Sequence, residues 1–159
     1  MKEYTEKELA LKAEAYCVAA ERCPSDVEEK LKRWGADEDM AARIVEHLCK
    51  ERFLDGTRYC RFFVRDKYRF DQWGRMKIVQ ALRMKRLSSG EIESGLAEID
   101  AEEYRNILRN LLEKKAKTVK AVSDYDRSQK LIRFAVGRGF TMDEIMQQIK
   151  QCVSDEYLD

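Results

Sequence analysis

Residues 78–92 read IVQALRMKRLSSGEI, and apolar side chains recur every three or four positions through the first ten letters. This spacing places Ile78 and Leu82 on one face of a helix. Ser88 and Glu91 then form a capping box, in which the hydroxyl and the carboxylate accept free backbone N–H groups at a helix start. The segment therefore predicts a short helix, a tight turn and a second helix.

The same pattern occurs 51 residues earlier and 53 residues later. Six columns of apolar residues and one column of N-capping residues match across the three copies. In order of copy, the columns are Val27, Ile78 and Leu131; Leu31, Leu82 and Ala135; Ala36, Leu87 and Phe140; Asp37, Ser88 and Thr141; Ala41, Ile92 and Ile145; Val45, Leu96 and Ile149; and Leu48, Ile99 and Cys152. Any two amphipathic helix pairs match by chance to some extent, but agreement through the turn and its cap indicates a true internal repeat.

A further helical segment precedes each pair, and no window shows the two-residue alternation of a strand. These segments are about 5–22, about 57–70 and about 101–120. The sequence thus predicts an all-α fold of three tandem three-helix repeats that form an elongated, curved array. The predicted domains are 1–56, 57–100 and 101–159.

Local signals mark where several helices begin. Thr5-x-x-Glu8 and Ser25-x-x-Glu28 are further capping boxes, and Asp100 is a good N-cap ahead of two acidic residues. Because the residue before a proline avoids the α region, Pro24 is expected to end the helix that precedes Ser25.

Composition narrows the class of protein. The 159 residues include 38% charged side chains, with a net charge of +1. The chain lacks an apolar run of membrane-spanning length and a charged-then-apolar leader, so we expect a soluble cytoplasmic protein that does not bind membranes. The five cysteines are an odd number without a C-x-x-C pair, and we expect reduced thiols on or near the helix cores. They are Cys17, Cys23, Cys49, Cys60 and Cys152.

Catalytic and cofactor motifs are absent from the sequence. It contains no phosphate-binding loop, and its one G-x-G, Gly137-Arg138-Gly139, is too short to indicate a dinucleotide site. His47 is the only histidine and could act as a general base, but no nucleophile is paired with it by motif, so a boundary position on a helix is the better interpretation. We therefore expect no enzyme, no cofactor and no metal site.

Positive charge concentrates between residues 61 and 86, a segment that contains nine basic side chains and only two acidic ones, Asp66 and Asp71. The nine are Arg61, Arg65, Lys67, Arg69, Arg75, Lys77, Arg83, Lys85 and Arg86. Aromatic residues such as Trp73 are interleaved with them. Such a surface suits nucleic-acid phosphates or an acidic protein partner, whereas the alternative is an ordinary solvated helix face.

An ordered series of motifs resembles the bacterial RecX regulatory proteins over about residues 5–153. The motifs are Leu54-Asp55-Gly56-Thr57-Arg58-Tyr59 after the first repeat, Trp73-Gly74-Arg75-x-Lys77-Ile78 and Leu82-x-x-Lys85-Arg86-Leu87 in the second, and Arg138-Gly139-Phe140-Thr141 in the third. The resemblance implies three tandem three-helix repeats. It also implies a non-enzymatic regulator of DNA repair, recombination and the SOS response that binds in the groove of RecA–single-stranded DNA filaments and inhibits recombinase, ATPase and coprotease activities.

The resemblance also implies which residues meet the filament. Carried over position by position, they are Lys67, Arg69, Arg75, Lys77, Lys85 and Arg86, with Arg133 and Arg138 in the third repeat. The implied partner is the RecA filament, with weak direct nucleic-acid binding, and we expect a monomer. Where the family usually has Lys-Gly-Ile in the middle turn, this chain has Arg86 in place of the glycine, so Arg86 must adopt a left-handed conformation or the turn must change.

Two other functions remain open on the sequence alone. Paired helices with short turns are also typical of helix-turn-helix DNA-binding proteins, although the second helices here are acidic or neutral. A helical-repeat scaffold for another partner is equally compatible with the fold.

Overall fold

The computed structural model describes residues 3–157, and side-chain environments for residues 3–150. All regular secondary structure in this part of the chain is helical, so the predicted all-α class is confirmed. The helices are α1 (Glu6–Ala19), α2 (Pro24–Arg33), α3 (Glu38–Lys50), α4 (Gly56–Arg69), α5 (Arg75–Met84), α6 (Ser89–Leu96), α7 (Ala101–Thr118), α8 (Asp124–Gly137) and α9 (Met142–Tyr157).

Most predicted helix starts are confirmed by hydrogen bonds. The Thr5 hydroxyl and the Asp100 carboxylate each accept the backbone N–H three residues on. The Ser88–Glu91 and Thr141–Glu144 capping boxes are both reciprocal, with bonds of 2.8 to 3.2 Å. These starts are set by residues close together in the sequence.

The predicted cap at Ser25 is wrong. The N-cap of α2 is Cys23, two residues earlier, so the helix begins at Pro24, and Cys23 makes no side-chain cap bond. Proline suits the first helical position because its fixed φ is helical and its missing N–H has no partner there. Ser25 instead lies inside the first turn, where its hydroxyl is 3.2 Å from the Cys23 thiol.

The three tight turns share one hydrogen-bond pattern. The amides of Ala36, Leu87 and Phe140 bond to the carbonyls of Leu31, Leu82 and Ala135, five residues earlier. This is the Schellman arrangement, in which the residue before each amide is left-handed. That residue is Gly35 (φ 104°), Arg86 (φ 65°) and Gly139 (φ 101°). Of the two alternatives that the sequence left open, Arg86 therefore adopts the left-handed conformation and the turn is unchanged.

The chain packs into two compact units. One contains Met1–Phe62 and Leu82–Gly95, and the other contains Phe63–Ala81 and Leu96–Asp159. These units are defined by which residues pack together, whereas the repeats are defined by the sequence periodicity. The repeat boundaries at 56/57 and 100/101 therefore stay a prediction. The core of the first unit includes Leu9, Ala13, Val27, Leu31, Ala41, Ile44, Leu48 and Leu54, all buried.

The core of the second unit is organised around Tyr104. Its ring packs against Tyr68 and Phe140, at centroid distances of 6.4 and 5.3 Å. Its hydroxyl accepts the Arg75 backbone N–H at 2.9 Å and lies 3.3 Å from a Glu144 carboxylate oxygen. Burial raises the pKa of Tyr104, so this hydroxyl stays protonated and can donate to the carboxylate.

The start of α5 meets the turn between α8 and α9 backbone to backbone. The Gly74 amide donates to the Arg138 carbonyl at 2.7 Å, and the Met76 amide donates to the Gly139 carbonyl at 2.9 Å. A Cβ on Gly74 would overlap the Gly139 carbonyl. The glycine therefore permits the close approach that satisfies two N–H groups at the start of α5.

Candidate interaction surface

The eleven predicted contact residues are distributed over both units. The first unit holds Arg61, Arg83, Lys85 and Arg86, and the second holds Arg65, Lys67, Arg69, Arg75, Lys77, Arg133 and Arg138. Six of the side chains are exposed and five are half-buried. The half-buried ones are Lys67, Arg75, Lys77, Lys85 and Arg138.

In the first unit, Lys85 and Arg86 form ion pairs with helix α2. Lys85 is 2.8 Å from Asp26, and Arg86 is 3.1 Å from Glu28. Burial alone would raise the pKa of Asp26, but hydrogen bonds from Lys85 and the Cys23 thiol hold the pKa below its ordinary value. The less exposed Lys85–Asp26 pair therefore helps to hold the turn after α5 against α2, whereas the more exposed Arg86 pair adds little.

In the second unit, three further cations pair with carboxylates. Lys67 lies 2.8 Å from Asp71. Arg69 lies 2.7 Å from Glu103, and Arg75 lies 3.8 Å from Glu144. Part of the positive charge that the sequence concentrates in 61–86 is thus balanced by carboxylates close by in the fold.

Arg138 has a structural role at the end of α4. Its guanidinium donates to the backbone carbonyls of Asp71 and Gln72. Gln72 has a left-handed backbone (φ 58°), so the arginine stabilises an unfavourable turn.

Trp73 lies between two lysines rather than on an open stacking face. Its ring packs edge-on against Phe63 at 6.3 Å. The ammonium groups of Lys67 and Lys77 lie 4.9 and 4.5 Å from the ring centroid. This cation–π contact orders both lysines while leaving Lys77 without a carboxylate partner in the described part of the chain.

Two of the predicted contact residues are exposed and have side chains without a partner in the described part of the chain. The guanidinium group of Arg83 on α5 makes no hydrogen bond or ion pair with any described residue, and neither does that of Arg133 on α8. Arg133 acts at longer range, where it helps to lower the pKa of Asp126. Arg61 and Arg65 are also exposed, one turn apart on α4. Arg83 and Arg133 are therefore the two residues of the predicted set that combine exposure with an unpartnered guanidinium.

The sequence alone does not reveal the acidic residues that pair with four of the predicted contact residues, which are Arg69, Arg75, Lys85 and Arg86. Asp26, Glu28, Glu103 and Glu144 lie outside the basic segment, so counting charge within 61–86 could not reveal them. The separation in sequence from Lys85 to Asp26 is 59 residues. Only the packing of α2 near the end of α5 makes the pair.

The remaining candidate groups carry no catalytic geometry. His47 is exposed on α3, with its Nε2 3.5 Å from Glu14. Among the cysteines, Cys23 and Cys60 are buried, Cys17 is half-buried and Cys49 is exposed. The side chain of Cys152 lies outside the described residues. Within those residues, no group of three or more Cys, His, Asp or Glu side chains could hold a metal ion, and no helix is long and apolar enough to cross a membrane.

Comparison with protein families matches two segments of the chain. Residues 55–96 match the second three-helix domain of RecX, and residues 102–149 match the third. Together the two segments make up more than half of the chain. The chain belongs to the RecX family. The matches also confirm the tandem three-helix repeats that the sequence periodicity predicts.

Curated RecX relatives cover most of this chain. The regulatory protein RecX of Clostridium botulinum (strain Eklund 17B / Type B) is 33% identical over 135 residues, and that of Clostridium perfringens (strain 13 / Type A) is 29% identical over 136. Each alignment includes 84% of this chain and 63% of the relative. The chain therefore spans slightly less than two thirds of the length of these regulatory proteins.

Solved RecX structures share the fold. The crystal structure of RecX from Lactobacillus salivarius has a TM-score of 0.82 at 21% identity, covering 92% of this chain and 95% of that one. A second regulatory protein RecX has a TM-score of 0.80 at 22% identity, covering 91% and 74%.

Proposed function

We propose that this chain is a non-enzymatic regulator that binds in the groove of RecA–single-stranded DNA filaments and inhibits their recombinase, ATPase and coprotease activities. The observation that carries the proposal is membership of the RecX family, whose curated members are regulatory proteins. The protein then acts in the cytoplasm as a monomer, needs no cofactor, and contributes to the control of DNA repair and the SOS response.

The distribution of charge supports this mechanism. A filament groove lined by nucleic-acid phosphate and acidic protein side chains attracts exposed cations, and occupancy of the groove blocks other substrates from entering. Arg83 and Arg133 are the exposed residues best suited to that contact, because their guanidinium groups have no partner among the described residues, and the exposed Arg61 and Arg65 lie on α4. Lys85, Arg86 and Arg138 act mainly within the fold because their charged groups already have partners there.

The proposal is tested by co-sedimentation with preformed RecA filaments on single-stranded DNA. We expect the double variant Arg83→Gln and Arg133→Gln to bind about tenfold more weakly at low salt, because two charge contacts are lost. The matched control is Lys7→Gln with Arg105→Gln, which removes the same charge from two exposed residues without ion pairs in the described structure. This control should bind like the unaltered protein.

The result also separates the remaining alternatives. Absence of co-sedimentation by the unaltered protein contradicts filament binding. Normal binding by the Arg83/Arg133 variant leaves filament binding intact but contradicts the assignment of these two arginines. Tight, sequence-dependent binding to duplex DNA without RecA indicates a helix-turn-helix DNA-binding protein instead.

A further inference from the structure

A second basic surface lies outside the segment 61–86. Residues 114–123 read KKAKTVKAVS and contain four lysines without an acidic residue. They form the end of α7 and the connection to α8, within the second unit. Lys114, Lys117 and Lys120 are exposed, and we call these three residues the lysine patch.

The ammonium groups of the lysine patch are uncommitted. None of the three ammonium groups makes a hydrogen bond or ion pair with a residue that the structure describes. In contrast, Lys115 between them lies over the Phe134 ring, 5.1 Å from its centroid, and so packs α7 against α8. The segment thus divides into one lysine used for packing and three directed to solvent.

The helix dipole accounts for only part of this pattern. Cations in the last turn of a helix are stabilised by its negative C-terminal end, which explains Lys117. Lys120 lies beyond the helix, which ends at Thr118 with Val119 as the C-cap. The lysines continue past the helix end, so an additional reason for the charge is needed.

The connection that carries Lys120 is held in one conformation. Ser123 caps α8, and the Asp126 carboxylate accepts the Val122 backbone N–H at 3.1 Å. The Lys130 ammonium donates to the Lys120 carbonyl and also pairs with Asp126 at 3.2 Å. Asp126 is therefore engaged locally, and Lys130 brings a further positive charge next to the patch.

Two exposed apolar side chains follow the lysine patch within five residues of Lys120 in the sequence. Tyr125, in the first turn of α8, is 75% exposed, and Val122 is 95% exposed. An exposed tyrosine offers a face on which an unpaired base can stack, as in single-strand binding proteins. Lysines for phosphates and an aromatic ring for a base are the two parts of such a site.

We propose that the lysine patch and Tyr125 form a binding site for single-stranded nucleic acid. Lys114, Lys117 and Lys120 contact successive phosphates, and Tyr125 stacks on a base. This site goes beyond the proposed filament contact through Arg83 and Arg133, because it assigns particular residues of the second unit to direct nucleic-acid binding in the absence of RecA.

Nucleic acid fits these residues better than a membrane or an acidic protein does. Two apolar side chains supply too little area to insert into a lipid surface. The exposed ring of Tyr125 offers a stacking face to a base, a contact that an acidic protein surface does not use.

The test is fluorescence anisotropy of a labelled 20-nucleotide oligothymidylate without RecA. We expect Lys117→Gln with Lys120→Gln to weaken binding about tenfold at low salt, and to reduce the magnitude of the log–log salt slope by about 1.4, since each single-strand phosphate contact contributes about 0.7. Tyr125→Ala should weaken binding several-fold without changing the salt slope. The Lys7→Gln and Arg105→Gln double variant is the matched control.

Three outcomes overturn the site. They are no oligonucleotide binding by the unaltered protein, an equal loss in the matched control, and unchanged binding by the Lys117/Lys120 variant. Tighter binding to vesicles of phosphatidylglycerol and phosphatidylcholine than to the oligonucleotide assigns the patch to lipid instead. Because the assay contains no RecA, its failure leaves the filament proposal standing, and failure of filament co-sedimentation leaves this site standing.

Discussion

Arg86 is the one residue with a side chain at the left-handed position of the three tight turns. At the same place in the Schellman turn, Gly35 and Gly139 have positive φ without a steric penalty, whereas a residue with a Cβ is strained there. The Arg86 side chain compensates in part through its ion pair with Glu28 at 3.1 Å. That pair is largely exposed, so it contributes little.

We expect Arg86→Gly to raise the free energy of unfolding by about 0.5–1 kcal/mol, because relief of the left-handed strain outweighs the lost surface ion pair. Urea unfolding measures the change. The matched reverse substitution, Gly35→Ala, has open space for the new methyl group and should be destabilising through its backbone alone. Destabilisation by Arg86→Gly would show that the arginine side chain matters more than its backbone strain.

Asp26 makes stability depend on pH. Its pKa is held below the ordinary value of 3.8 in the folded protein, chiefly because the hydrogen bonds from Lys85 and Cys23 outweigh the effect of burial. A carboxyl with a lowered folded-state pKa stabilises the fold where it is ionised. Its contribution is present above the ordinary pKa and is lost as the pH falls through the folded-state value.

We therefore expect Asp26→Asn to lower the free energy of unfolding by about 1 kcal/mol at neutral pH, and the difference to shrink below about pH 4. Chemical unfolding of both proteins across this range measures it. Asp39→Asn, at an exposed position, is the control and should change little. A difference that stays constant down to low pH would contradict a role for the Asp26 charge.

At the scale of secondary-structure elements, the junction between α5 and the α8–α9 turn depends on the absence of a side chain. The Gly74 amide is 2.7 Å from the Arg138 carbonyl, which leaves no room for a Cβ. In contrast, Gly137 at the end of α8 has open space around it.

We expect Gly74→Ala to destabilise the protein by about 2 kcal/mol or more, because the α5 start must move away from the turn and lose buried hydrogen bonds. Gly137→Ala should be neutral or stabilising by up to about 1 kcal/mol, since alanine favours the helix. Thermal unfolding compares the two. Equal effects from the two substitutions would show that the close backbone approach at Gly74 is unimportant.

The elements differ in how far the sequence alone could predict them. The caps at Ser88 and Thr141 and the left-handed turn at Arg86 could be predicted because each depends on residues within five positions. The start of α2 was misplaced because the preference of Pro24 for the first helical position competed with the capping signal of Ser25. The partners of Lys85 and Arg138 could not be predicted, because those contacts exist only after distant helices pack.

At the scale of the whole molecule, the central claim is that a small helical-repeat protein regulates a much larger filament through charge. Such contacts are screened by salt, so we expect regulation to weaken as ionic strength rises. The fold itself does not depend on these contacts, because its cores are apolar and lie within each unit.

The most direct measurement is the rate of ATP hydrolysis by preformed RecA filaments on single-stranded DNA, titrated with this protein. We expect inhibition at well below one molecule per RecA monomer, with weaker inhibition by the Arg83/Arg133 variant than by the Lys7/Arg105 control. An unchanged rate at saturating protein, together with no filament binding, would contradict the claim that this RecX-family chain regulates RecA.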